Sequence, residues 1–247
     1  MTQEMAGGEV EIPDFLRQLW TGVDVARPGP KRGVDLATIA AAGVAIADAK
    51  GLAAVSMRNV AAELGLTSMA LYRYVKSKEE LVTLIVDEAF GIPDYADEPD
   101  ASWRELLNAW AQANRGKLVQ HPWVMEVAVN EPPLLPHQIA WMERGLAAFA
   151  DTGLEQQEKL SSMLLVDVYV RGQTQLSVGF GGDTDAGELY GRRLMQLIDH
   201  ERFPRITDAL MSGALEDDNS DFAVDEFRFG LDTVFDGIAA RIAARAS

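Results

Sequence analysis

Apolar residues recur along most of this chain at spacings of three and four, the signature of helices with one buried face. The first clear case follows Asp35, a residue type that caps helix N-termini. Leu36, Ile39, Ala40, Gly43, Val44 and Ala47 form one stripe, and Lys50-Gly51 closes it with a cation and a glycine. A short helix then starts at Ser56, carries Val60, Ala61 and Leu64 on its apolar side, and stops at Gly65. Thr67 or Ser68 caps a third helix, roughly SMALYRYV. Ser77 caps a fourth, with Glu80 three residues on completing a capping box. This fourth helix has Leu81, Leu84, Ile85 and Glu88 on one side and Val82 and Val86 on the other, the pattern of a helix wedged between two units.

The run GIPDYADEPD breaks the pattern near 91–100. Beyond it, helices are expected at about 101–119, 122–129, 135–150, 154–179, 186–199, 203–213 and 221–245. Strand alternation is almost absent, so the expected class is all-α. In 154–179, Leu160, Leu164, Val168 and Leu176 form a long apolar row; in 221–245, Phe227, Leu231, Val234, Phe235, Ile238 and Ile242 form another. The leader 1–33 holds Pro13, Pro28 and Pro30 and ends in PGPKRG. It is expected to be largely disordered, with a helical turn or two at DFLRQLW, where Phe15, Leu16, Leu19 and Trp20 share a face. The acidic run EDDNSD at 216–221 reads as a solvated loop. The expected division is a flexible arm (1–33), a three-helix head (34–80) and a larger helical body (81–247).

Composition narrows the chemistry. The 247 residues include no cysteine, which removes disulfides, thiolate metal sites and cysteine nucleophiles, and only three histidines: His121, His137 and His200. No metal and no cofactor is expected. No window approaches twenty uninterrupted apolar residues and the N-terminus lacks an apolar secretory core, so a cytoplasmic protein without a membrane partner is expected. The net charge is −16, which repels phosphates, but residues 31–78 carry seven cations (Lys31, Arg32, Lys50, Arg58, Arg73, Lys76, Lys78) against Asp35, Asp48 and Glu63. A basic segment on a strongly acidic chain reads as an anion-facing unit joined to a unit with another task.

Residues 56–78, SMRNVAAELGLTSMALYRYVKSK, carry the most information. Two short helices meet at Gly65, and Ala61 allows close approach. Leu66 and Leu71 fill the space between them, as in a helix-turn-helix whose second helix enters the major groove. A plain helical hairpin is the bland alternative. Against it stand the outward donors Ser68, Arg73 and Tyr74, with Lys76 and Lys78 on the next turn. The run from Leu36 through Leu81, above all VAAELGLTSMALYRYVKSKEEL, resembles the DNA-binding domain of the TetR family of transcriptional repressors. SWRELLNAWAQ, QHPW and LLVDVYVRGQTQLSVG more loosely resemble the tetracycline-repressor type of ligand-binding domain.

The resemblance implies that Ser56, Met57 and Arg58 meet DNA at the start of the second helix, with Arg58 the base-edge candidate. It implies that Thr67, Ser68, Met69, Ala70, Tyr72, Arg73 and Tyr74 hold recognition positions, and that Tyr72 and Lys78 contact phosphate. Two readings of each of that last pair stand: Tyr72 as phosphate contact or packing residue, Lys78 as phosphate contact or solvated lysine. Lys31 and Arg32, with Arg27, either lie in an adjacent minor groove or form a solubilising tail.

The resemblance further implies a homodimer, through the helices near 154–179 and 221–245, on a palindromic double-stranded DNA operator, released by a small-molecule effector. Trp110, Asn114, Met125, Trp141, Met163, Asp167, Arg171 and Gln173 are the candidate effector contacts: aromatic and sulfur side chains with polar anchors suit a mainly apolar cavity. Ordinary core packing is the competing reading of the apolar members, and a simple i,i+4 pair that of Asp167 with Arg171. Ala128 stands where tetracycline-binding members carry a magnesium-binding histidine, followed by Glu131, Pro132 and Pro133, so a bulky apolar or aromatic effector is expected rather than a magnesium–tetracycline chelate. The alternatives are a sequence-indifferent architectural DNA binder and, less favoured, a helical enzyme. Acid pairs such as Glu155/Glu158 read as solvated faces, and the chain offers no glycine-rich phosphate loop.

Overall fold

The computed structural model describes residues 11–21, 34–95, 100–128, 132–179, 185–213 and 222–245. Among them the secondary structure is helical, with no strand. The helices are α1 (Asp14–Thr21), α2 (Leu36–Lys50), α3 (Met57–Glu63), α4 (Ser68–Leu71), α5 (Lys78–Phe90), α6 (Trp103–Gln120), α7 (Pro136–Ala147), α8 (Gln156–Gly179), α9 (Asp185–Leu197), α10 (Pro204–Met211) and α11 (Phe222–Arg245). Short 3-10 turns occupy Leu52–Ala54 and Pro122–Glu126.

Local side chains start the head helices. Asp35 accepts the Thr38 N–H at 2.8 Å and its hydroxyl at 2.6 Å, and these bonds hold the Asp35 carboxyl below its ordinary pKa. Ser56 caps α3 through the Asn59 N–H and Thr67 caps α4 through the Ala70 N–H. Gly65 has φ +66°, where the left-handed backbone favours glycine. Its N–H reaches Ala62 O and the Leu66 N–H reaches Ala61 O, closing α3 in a Schellman motif. Ser77 caps α5, although the Glu80 carboxylate accepts the Lys76 N–H rather than the Ser77 N–H of a complete capping box. The third predicted helix is shorter than its apolar pattern: α4 ends at Leu71 and continues to Tyr74 through 3-10 bonds.

The head core is Ile39, Ala40, Ala47, Val55, Val60, Ala61, Leu71, Val75, Leu81 and Ile85, all buried. Gly43 lets α2 lie directly on α5, since Ile85 Cγ2 occupies the space a Cβ would need. α5 passes from this core into the body, burying Val86, Asp87, Ala89 and Phe90 as well, and packs on α2, α6 and α7. It is therefore shared by both units.

The body sets α6, α7, α8 and α11 against one another. Tyr169 on α8 donates to the carbonyls of Glu226 and Phe227 on α11, over Gly230, whose missing side chain makes room for the ring. Arg104 on α6 pairs with Asp236 at 2.6 Å. The helix expected at 122–129 is instead a 3-10 turn, because His121 before Pro122 leaves the α region (φ −126°, ψ 65°). α9 and α10 pack on each other. In the leader, α1 is a docked helix: Phe15 is buried, Leu16 and Leu19 pack on the core, and the Trp20 indole donates to Leu134 O at 2.8 Å. The acidic run 216–221 and the basic residues Arg27, Lys31 and Arg32 lie outside the described residues.

Candidate nucleic-acid interface and effector region

Leu71 and Val75 are fully buried and anchor the segment from α4 onward, so the residues between and before them face outward. Thr67, Met69, Tyr72, Arg73 and Lys76 are exposed, while Ser68, Ala70 and Tyr74 are half-buried. Met69 is 76% exposed, and between residues 34 and 90 it and Tyr72 are the exposed large apolar side chains. A core does not explain them; a groove carrying thymine methyl groups suits them. Thr67 is engaged as the α4 cap and Ser56 as the α3 cap, each at the rim of this face. Arg58 is exposed beside Ser56, and Asn59 is exposed with its amide tied to Ala54 O at 2.8 Å. Met57 departs from its expected place. Its side chain is 7% exposed within the head core, because the first turn of α3 turns that position inward, leaving its backbone at the surface edge. Lys78 is exposed in the first turn of α5. That turn also holds Glu79, whose carboxyl is lowered by its own backbone N–H and the Ser77 hydroxyl. Lys76, read from the sequence as lying on the next turn, is exposed among these residues, and Asn59, absent from the expected contacts, joins them through an exposure that only the fold reveals.

In the body, three expected effector residues meet. The Trp110 and Trp141 rings lie edge to face with centroids 5.9 Å apart, and the Trp110 N–H donates to Trp141 O at 2.8 Å. Gly145 faces both the Met163 sulfur and the Trp110 indole. Asn114, one turn beyond Trp110, is buried. Met125 is partly buried against the core. Asp167, Arg171 and Gln173 are half-buried along α8. Burial pushes the Asp167 carboxyl above its ordinary pKa, and the Arg171 guanidinium opposes that shift.

A cavity of about 260 Å³ lies elsewhere, at the joint of head and body. Gln18 and Leu19 of α1, Asp35 to Ala37, Leu84, Asp87 and Glu88 of α5, and Pro136 with His137 line it. None of the eight expected effector residues does. At the joint, Asp87 Oδ1 accepts the backbone N–H groups of His137 and Gln138 at 3.1 and 3.3 Å, capping α7 from α5. The His137 ring nitrogen sits 2.9 Å from Asp87 O. Burial raises the Asp87 carboxyl, against the pull of His137 and these N–H donors. Sequence spacing carried no signal for this contact, since the partners are 50 residues apart.

Comparison with known proteins agrees with this architecture. Residues 39–85 match the family model described as bacterial regulatory proteins of the tetR family, and residues 95–242 match the tetracyclin repressor-like C-terminal domain. The chain is 34% identical over 253 residues to the HTH-type transcriptional repressor DrrR1 of Streptomyces coeruleorubidus, covering 96% of this chain and 89% of that one. Among solved structures, the Streptomyces coelicolor TetR family protein ActR in complex with (S)-DNPA superposes with a TM-score of 0.70 at 22% identity, covering 84% of this chain and 98% of ActR. Its complex with actinorhodin gives 0.69 at 23% identity, covering 85% and 97%. At that identity the likeness is one of fold. The two family models and the long match to DrrR1 establish that this chain is a DNA-binding transcriptional regulator of the TetR family.

Proposed function

We propose that the chain is a repressor that grips a palindromic operator as a homodimer and lets go when a small, largely apolar or aromatic effector enters the body. The observation that supports it best is the presentation of α4: buried at Leu71 and Val75, with Met69, Tyr72 and Arg73 turned to solvent beside Arg58, Lys76 and Lys78. A short helix reads few base pairs, so two copies are needed for a specific site. Leu160, Leu164, Val168 and Leu176 on α8 and Phe229 on α11 are exposed, and an interface between copies would bury them. In this reading residues 34–80 are the head, 81–247 the effector and dimerisation body, and Lys31 and Arg32 add DNA contacts. The dimer works in the cytoplasm.

The effector lies against Trp110, Met125, Trp141 and Met163. Asn114 is its polar anchor, and Asp167, Arg171 and Gln173 stand at the edge. Asn114 supports this because it sits buried one turn from Trp110 on the same helix, where its amide can offer a donor and an acceptor to a ligand's polar group. Flexible methionine can vacate the space an aromatic ligand needs. The ActR crystals that hold actinorhodin and (S)-DNPA favour the same class. The effector shifts the head equilibrium by its affinity difference between two states, commonly about 1–3 kcal/mol. Selection of bound duplexes from a random pool, followed by footprinting, tests the reading. A symmetric protected site supports it; protection without sequence preference would favour an architectural DNA binder.

A further inference from the structure

Head and body are joined covalently through α5, and a body held by one helix alone would leave the head free to turn about that helix. A second fastening lies off that axis. Asp48, near the C-terminal end of α2, is paired through one oxygen, Oδ1, with two groups of the body. The His121 ring nitrogen Nδ1 is 2.7 Å away and the Trp123 indole N–H donates at 2.7 Å. Both rings are buried and lie edge to face, while the Asp48 side chain is about one-third exposed, at 36%. Hydrogen bonds of this length to a carboxylate are charge-assisted and geometrically demanding.

The residues that hold Asp48 flank a mechanical bridge. His121 ends α6, and Pro122–Glu126 forms the 3-10 turn that follows. That turn packs on α6 and α8, the helices carrying Trp110, Asn114 and Met163, and also on α2 and on the Leu52–Ala54 turn of the head. Leu52–Ala54 leads directly to Ser56 and Arg58, and Ala54 O holds the Asn59 amide. Met125, a candidate effector contact, belongs to the same turn. The turn thus touches α8 on one side and the head on the other, and Asp48 pins it to α2 by accepting two hydrogen bonds.

We infer that Asp48 is a positioning residue: by holding His121 and Trp123 it fixes the angle of the head about α5. Its consequence for gene control rests on the effector-released repressor reading above, whereas the geometric claim stands apart from it.

The chain has no cysteine, so Glu63→Cys on α3 and Gln112→Cys on α6, both at exposed positions, accept a pair of labels without interference. Doubly labelled chain diluted into unlabelled chain reports the head-to-body distance within one chain. The otherwise native protein should give one narrow distribution. Asp48→Ala should broaden or shift it, and Trp123→Phe, which keeps a buried ring and loses one donor, should do so to a smaller degree. Asp48→Asn keeps an acceptor oxygen and should restore most of the narrow distribution. On the selected duplex, Asp48→Ala should weaken binding by about fivefold or more, with random-duplex binding unchanged. A native distribution in both Asp48→Ala and Trp123→Phe overturns the inference. If Asp48→Ala loses its helical circular dichroism, Trp123→Phe decides. A native chain that prefers no duplex would defeat the repressor reading while the distance measurement still decides the fastening.

Discussion

The two halves of the molecule begin their helices in different ways. In the head, α2, α3, α4 and α5 each start from a side chain that accepts the N–H three residues on: Asp35, Ser56, Thr67 and Ser77. In the body, α6 has such a start in the Ser102–Glu105 box, but α7 is capped by Asp87 from α5, and α11 is tied down by Tyr169 and Arg104 from other helices. The head is thus specified by short-range chemistry. The body depends on distant contacts, several of them polar and few-atom, which can exchange for others. A locally specified reader joined to a body with rearrangeable contacts is what a ligand-controlled DNA binder requires.

The largest effect should come from Leu71→Ala, which empties the fully buried anchor under α4. Urea unfolding should show a loss of about 2–5 kcal/mol, and operator binding should fall with it. Retained operator binding would mean that α4 is positioned by something other than this core. Next, Arg58→Ala should cost about 1–3 kcal/mol of binding and relax preference at one base position; equal weakening on every duplex would mark Arg58 as a phosphate contact. Removing the remote cap with Asp87→Ala should cost about 0.5–2 kcal/mol. Its counterpart in the head, Thr67→Ala, should cost about the same in unfolding yet also weaken DNA binding. Identical effects of the two on DNA binding would erase the contrast between the halves.

The smallest effect concerns Asp167. Burial raises its folded-state pKa, so its contribution to stability is fully present below the ordinary carboxylate value and is lost as pH rises through the folded one. At pH 7 the buried carboxylate therefore costs stability. Asp167→Asn should raise the melting temperature slightly at pH 7, and the gain should vanish as pH falls to the ordinary value of 3.8. An unchanged gain at both ends would show that the residue acts by shape rather than charge.

These contrasts also explain what could be read from the sequence. The head was readable because its signals are local: Gly65 marks the Schellman turn, and small residues at 43 and 61 mark close approach. The α8 row of Leu160, Leu164, Val168 and Leu176 was readable as apolar, but the sequence could not say that it stays exposed on one chain. The burial of the Met57 side chain was not legible, because position in a motif does not give the direction of a side chain. The pairs Asp87–His137 and Asp48–His121 left no trace in spacing, since each joins elements brought together only by the fold. Docking of α1 left no trace in the sequence for the same reason: its partner at Leu134 lies 114 residues away.

The account rests on the head distinguishing one duplex from others, and competition measures that most directly. Affinity for the selected palindrome is compared with that for a random duplex of equal length at one salt concentration. The account predicts a preference of at least about 10³, reduced when Arg58 is replaced. A ratio near one at every salt concentration would contradict it.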